Sequence, residues 1–158
     1  LWFFEETCPR CRQKWPQMLE LAQSHSEDPI VFIAVSSGTN RETMMKYAQQ
    51  NKVNWPILLD PMRTFEKQSG FNEISLSNIF QVGLIDGQGT FQHGRWDALE
   101  ESIQTALNGA RWNIDRSKIA PEALGVWQMV ELGNYAAAAS TLKNESAAKS
   151  PEARDSLK

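Results

Sequence analysis

Two cysteines separated by two residues, Cys8-Pro9-Arg10-Cys11, stand between an apolar run and a helix-patterned segment. This junction restricts the chain more than any other feature. Leu1-Trp2-Phe3-Phe4 reads as a strand covered on both faces, because its apolar residues run on without alternation. From Cys8 to about Ser24, apolar residues recur at Trp15, Met18, Leu19 and Ala22, the i, i+3, i+4, i+7 spacing of one helix face. The two thiols therefore fall on a helix's first turn, where positions i and i+3 share a face and the sulfurs reach bonding distance. Cys8 lies beside the unpaired N–H groups of that turn, whose partial positive charge favours an anionic sulfur. Pro9 loses nothing there, since its missing N–H is one of the orphans. Arg10 adds a cation that favours thiolate and a more oxidising pair. Glu5 and Glu6 push the other way, and the balance is expected to be intermediate.

The remaining pattern to residue 109 alternates strands with helices. Ile30–Ser36 is a continuous apolar run expected to form a buried parallel strand. Thr39-Asn40-Arg41-Glu42 fits a capping box opening a helix to about Asn51, with Met44 and Met45 as packing residues. Trp55–Asp60 reads as a short strand and Thr64–Ser69 as a helix closed by Gly70. Ile79–Asp86 and Phe91–Trp96 read as an antiparallel pair joined by the turn Asp86-Gly87-Gln88-Gly89. Asp97-Ala98-Leu99-Glu100 is expected to cap a last helix carrying Leu99, Ile103, Ala106 and Leu107 on one side. The order βαβαβαββα predicts an α/β fold, a mixed sheet with helices on both faces.

Composition changes near residue 110. Residues 110–158 carry ten alanines against five in the longer stretch before them. Pro121–Leu132 and Tyr135–Lys143, broken by Gly133-Asn134, predict an αα-hairpin whose alanines permit close helix approach. The expected division is 1–109 for the α/β domain and 110–158 for an Ala-rich helical extension. Trp112, Trp127 and Leu132 are expected to pack against the main domain. The chain opens at Leu1 and stops two turns after Ser150-Pro151-Glu152, which reads as a helix start, so it is expected to be a piece of a longer protein.

Several classes of function are excluded. A net charge of −3 gives no global basic field for a nucleic-acid backbone. The longest unbroken apolar stretch, Ile30–Val35, is far too short for a membrane span. Two cysteines are too few for a disulfide scaffold. They are also too few for an intramolecular zinc site, which needs four ligands. His25 at the first helix's end and His93 in a strand stand at no ligand spacing, so no metal site is expected. His93 is expected to face solvent, and Asp60 and Asp86 to be turn-formers.

With these residues in order, the chain resembles the thioredoxin superfamily, above all its TlpA/ResA-like extracytoplasmic branch. The resemblance covers residues 1–109. It rests on Trp2-Phe3-Phe4 before Cys-Pro-Arg-Cys; on Pro16, five residues after the second cysteine; on Trp55-Pro56-Ile57-Leu58-Leu59-Asp60-Pro61; and on Leu84-Ile85-Asp86-Gly87 with Gly89. It implies a thiol-disulfide oxidoreductase in which Cys8 attacks a substrate disulfide and Cys11 resolves the mixed disulfide, the two held in a shallow exposed groove. No cofactor beyond the dithiol is implied. The implied partners are protein thiols or disulfides and a redox partner, and the implied location is extracytoplasmic. Three positions depart from that branch. Trp2 stands six before Cys8, where many thioredoxins bury an acid, and Glu5 or Glu6 substitutes for it only by pointing inward. Thr7 replaces the usual Trp at the groove's lip. Phe80, after Ile79, stands where the family has a cis-proline. A cis bond there costs ~2.5–4 kcal/mol, so the loop Ser77–Phe80 is expected to run trans, with an atypical substrate range.

Three other readings fit the same pattern. A peroxiredoxin-like antioxidant has a related fold, but Glu5 stands three before Cys8 where that family needs Thr or Ser. A non-catalytic thioredoxin-like module would use Trp127, Tyr135 and the Ala-rich helices to hold a partner. An iron–sulfur cluster shared by two chains is suggested by the missing proline at Phe80.

Overall fold

The structure, a computed structural model, describes residues 1–38, 40–72, 78, 79, 81–131 and 133–143. It divides into two compact units, Leu1–Ala110 and Arg111–Lys158.

The first unit is a five-stranded mixed sheet in the order β3-β2-β1-β4-β5. β1 (Trp2–Phe4) is central, parallel to β2 (Ala34–Ser36) and antiparallel to β4 (Gln81–Ile85). β3 (Ile57–Leu59) and β5 (Phe91–Gly94) form the edges. All three β1 residues are buried, as expected of a strand covered on both faces. Trp2 and Phe4 look toward α1 (Pro9–Ser24) and α2 (Arg41–Gln50), where they meet Trp15 and Tyr47. Phe3 faces the opposite way, stacked on Phe65 of α3 (Thr64–Gln68) and packed on Phe71. α4 (Leu99–Leu107) covers β4 through Ile103, Ala106 and Leu84. The fold is a thioredoxin-like α/β sheet, in the element order expected from the periodicity.

Several boundaries differ from expectation, each for a local reason. Trp2 pairs with Ala34, so residues 30–33 lie beyond the start of β1 and β2 shortens to three residues. The cap of α2 is Asn40, whose side-chain oxygen accepts the amides of Glu42 and Thr43; Thr39 lies outside the described residues. Met44 is buried on α2, but Met45 is exposed. α4 begins after Ala98 with no side-chain cap, because the Asp97 carboxylate is held by Arg95 at 3.0 Å. The hairpin turn after β4 forms as read. Gly89 takes φ 84°, and Asp86 accepts the amides of Gln88 and Thr90.

In the second unit, α5 (Leu124–Glu131) and α6 (Tyr135–Lys143) pack together around Val126 and Ala138. Pro121–Ala123 form a 3₁₀ turn where a longer α-helix was expected. Gly133, at φ 69°, ends α5 by donating to the Val130 carbonyl, and Asn134 caps α6. Leu132 and residues 144–158, with the expected helix start at Ser150, lie outside the described residues. Among the described residues no helix is long and apolar enough to cross a membrane.

Candidate functional site

The carboxyl end of β1 delivers the chain into α1 through Glu5, Glu6 and Thr7, with Cys8 as the helix N-cap at φ −80°, ψ 110°. The Cys8 amide donates to the Glu5 carbonyl at 3.1 Å, which fixes the turn. The Cys8 sulfur then accepts the backbone N–H of Cys11 at 3.2 Å. This is the role Ser or Asp plays at other helix starts, taken here by a thiol. No acidic residue lies in the first turn of α1, which carries Arg10 and Arg12 instead. Cations are unfavourable beside a bare helix N-terminus, so this arrangement suits an anion at the cap.

Both cysteines are free thiols, and both are more buried than the shallow exposed groove that was expected. Cys8 is 7% exposed and Cys11 fully buried. The access that exists is therefore to Cys8, whose chain neighbours Thr7, Pro9 and Arg10 are exposed. Burial pushes the Cys11 thiol up to about 12. Its hydrogen bond with Cys8 adds to the rise, a backbone hydrogen bond with Glu5 opposes it, and the charges of Cys8 and the Glu5 carboxylate add further. Cys11 is thus held as a protonated, shielded thiol against the helix cap.

Of the two acids before the motif, each has a definite partner. The Glu6 carboxylate takes the Ser36 hydroxyl at 3.3 Å and lies where any side chain on Gly38 would begin. Glu5 turns toward Arg63, 3.8 Å away. At the position six before Cys8, the Trp2 indole is buried in an aromatic cluster with Trp15, Trp55 and Trp96. Ile79 is buried in the core, and Phe80 and Ser77 lie outside the described residues.

Sequence reading missed the groups that surround the pair from other elements. Tyr47 of α2 is buried and accepts the Trp15 indole N–H at 2.8 Å, and Arg12 sits over its ring. Burial pushes the Tyr47 hydroxyl up to about 12, against the Trp15 hydrogen bond, and the charge of Cys11 adds to the rise. The i, i+3 spacing of Met44 and Tyr47 was the available signal. Asp60 is more than a turn-former, since its two carboxylate oxygens hold the amides of Thr64 and Glu66. His93 is exposed as expected, stacked on Phe71. Among the described residues no cluster of His, Cys, Asp or Glu could hold a metal ion.

The model of the AhpC/TSA family matches residues 1–93, more than half the chain, and this span holds both cysteines. The chain belongs to the AhpC/TSA family. Two solved structures share its fold. MTB dsbF, solved in mixed oxidized and reduced forms, superposes with a TM-score of 0.53 at 18% identity, covering 70% of this chain and 78% of its own. The thioredoxin domain of a thiol-disulfide oxidoreductase from Bacteroides vulgatus gives 0.53 at 19% identity, covering 67% and 76%. Comparison with curated proteins gives no match. The family and the fold agree with the resemblance to the thioredoxin superfamily read from the residues.

Proposed function

We propose that the protein is a thiol-disulfide oxidoreductase in which Cys8 is the nucleophile and Cys11 the resolving thiol. The observation that carries this reading is the amide of Cys11 aimed at the Cys8 sulfur at 3.2 Å. An anionic acceptor receives such a hydrogen bond more strongly than a neutral one, so the cap supports a reactive thiolate. Cys8 attacks a disulfide, forming a mixed disulfide and releasing one thiolate. Cys11 then gives up its proton and attacks the Cys8 sulfur, closing the Cys8–Cys11 bond and releasing the second thiol. Two electrons pass from the pair to the substrate, and the same steps run backwards make the pair an oxidant.

Thr7, Pro9 and Arg10 form the exposed lip beside Cys8 in this reading. Glu5, Glu6 and Arg10 tune the charge around the sulfurs, and Ile79-Phe80 stands at the sequence position where the thioredoxin superfamily has its cis-proline. A bulky residue there favours a narrowed substrate range. Protein thiols or disulfides are the proposed substrates. An extracytoplasmic setting is proposed from the resemblance of residues 1–109 to the TlpA/ResA-like branch. Residues 1–109 are the proposed redox domain and 110–158 a helical extension of it.

The test is reduction of insulin and of oxidised glutathione by the wild type, Cys8→Ser and Cys11→Ser. The expected result is an active wild type, an inactive Cys8→Ser and a Cys11→Ser that accumulates a mixed disulfide. Peroxide consumption by a wild type that turns over neither disulfide overturns this reading in favour of an antioxidant. Activity that survives Cys8→Ser overturns it altogether.

A further inference from the structure

The turn between β3 and α3 projects a charged residue toward Glu5, three residues before Cys8, at a conformational cost. Arg63 sits at φ 53°, ψ 30°, in the left-handed region that residues with a Cβ enter reluctantly. Such outliers persist only where their surroundings over-determine them. Here Asp60 does so. Its carboxylate takes the Thr64 and Glu66 amides at 2.8 and 2.9 Å, and its carbonyl takes the Arg63 amide at 2.9 Å. From this turn the guanidinium reaches the carboxylate of buried Glu66 at 3.3 Å and that of Glu5 at 3.8 Å.

Glu5 in turn touches both cysteines. Its carbonyl holds the Cys8 amide, its backbone hydrogen-bonds Cys11, and its carboxylate charge disfavours ionisation of Cys11. The other titratable groups around Cys11 are Cys8 and, from α2, Tyr47 with Arg12 over its ring. Glu6 is engaged elsewhere, with Ser36.

We propose that Arg63 is a positioning residue for ring closure: it holds the Glu5 carboxylate and offsets its charge, so that Cys11 loses its proton more readily when it attacks Cys8. This rests on the reading of Cys8 and Cys11 as the working pair. The strained backbone at Arg63 is retained because the guanidinium has to arrive from that direction. The step it assists is complete in itself. The Cys11 proton leaves for solvent, the Cys11 sulfur bonds to Cys8, and the bond between Cys8 and the bound thiol breaks. That thiol leaves carrying both bonding electrons.

The test is stopped-flow mixing of the reduced protein with oxidised glutathione in excess, so that capture by Cys8 is fast and release of the second glutathione reports ring closure. Arg63→Gln is expected to close the ring about threefold more slowly, with unchanged capture, across pH 6.5–8.5. Arg63→Gly relieves the backbone yet is expected to be slowed equally, and Arg63→Lys to recover part of the rate. Adding Glu5→Gln to Arg63→Gln is expected to restore it. Closure at the wild-type rate in Arg63→Gln overturns the proposal, as does a slowing that persists without Glu5. A wild type that releases one glutathione and never the second overturns the assignment of Cys11 itself, a result visible before any Arg63 variant is made.

Discussion

The indole N–H of Trp15 donates to the hydroxyl of Tyr47 across 2.8 Å of buried space, tying the helix that begins at Cys8 to the helix beside it. Both rings also pack on Phe4, so the phenol is held by stacking as well as by the bond. Tyr47→Phe keeps the stacking and leaves the indole N–H buried without its acceptor. A buried donor stripped of its partner costs ~1–3 kcal/mol. Urea unfolding of the variant is expected to show a loss in that range with an unchanged slope. A loss below ~0.5 kcal/mol would mean that another group satisfies the indole.

The alkaline limb of stability follows from the same neighbourhood. Burial pushes the Cys11 thiol and the Tyr47 hydroxyl each up to about 12, above their ordinary values of 9.0 and 10.0. The folded protein therefore holds these two protons more tightly than the unfolded chain does. Their contribution is complete below about pH 9 and is lost as pH rises toward 12. Under reducing conditions, unfolding free energy is expected to fall from pH 9 to 11. Cys11→Ala, which removes one of the two groups, is expected to fall less steeply. Parallel curves for the two proteins would refute the assignment to Cys11.

The elements written in local periodicity could be read from the residues, and those written in distant partners could not. Trp15, Met18 and Leu19 announce α1 because a helix face repeats within the segment itself. The Cys-Pro-Arg-Cys turn is likewise local, since Cys8 caps an amide only three residues away. Ile30–Ile33 is as apolar as the strand it precedes, but strand character depends on a neighbour in register, and β1 meets the run only at Ala34. Glu5 and Arg63 lie far apart in the chain, and no spacing rule links a strand's end to a turn after another strand. Gly38 gave no signal either, although it leaves room for the Glu6 carboxylate. The burial of Cys11 was missed because a Cys-x-x-Cys at a helix start is equally compatible with an exposed face.

At the other end of α1, His25 links Asp28 at 2.6 Å and Glu100 of α4 at 3.1 Å. Burial lowers the His25 pKa, but the hydrogen bonds to Asp28 and Glu100 outweigh it, and the net shift is upward from 6.5. A raised histidine stabilises fully below about pH 6.5 and loses that contribution as pH rises through its folded value. Glu100 is shifted the other way. Its hydrogen bond from Gln104 acts first and that from His25 second, so its contribution is present above about 4.5 and lost as pH falls. Together they give the clasp a window between about pH 4.5 and 6.5. The advantage of wild type over His25→Gln in thermal unfolding is expected to be largest there and to shrink by pH 8. An advantage that grows with pH would reverse the sign and refute the clasp.

The last prediction separates the two thiols directly. Cys8 reaches solvent and receives an amide N–H, whereas Cys11 is fully buried and its acidity is suppressed by that burial. Alkylation proceeds through the thiolate and needs access, so both factors favour Cys8. Brief treatment of the reduced protein with iodoacetamide at pH 7, followed by peptide mass spectrometry, is expected to label Cys8 at least about tenfold faster than Cys11. Unfolding in urea is expected to bring the two rates together, because it removes the helix cap and the burial at once. Cys8→Ser leaves Cys11 without its sulfur partner but still buried in the core, so its labelling is expected to remain slow in the folded protein. Equal labelling of the two cysteines in the native wild type would show that the burial and the cap do not distinguish them. The order of attack assigned to the pair would then have no physical basis.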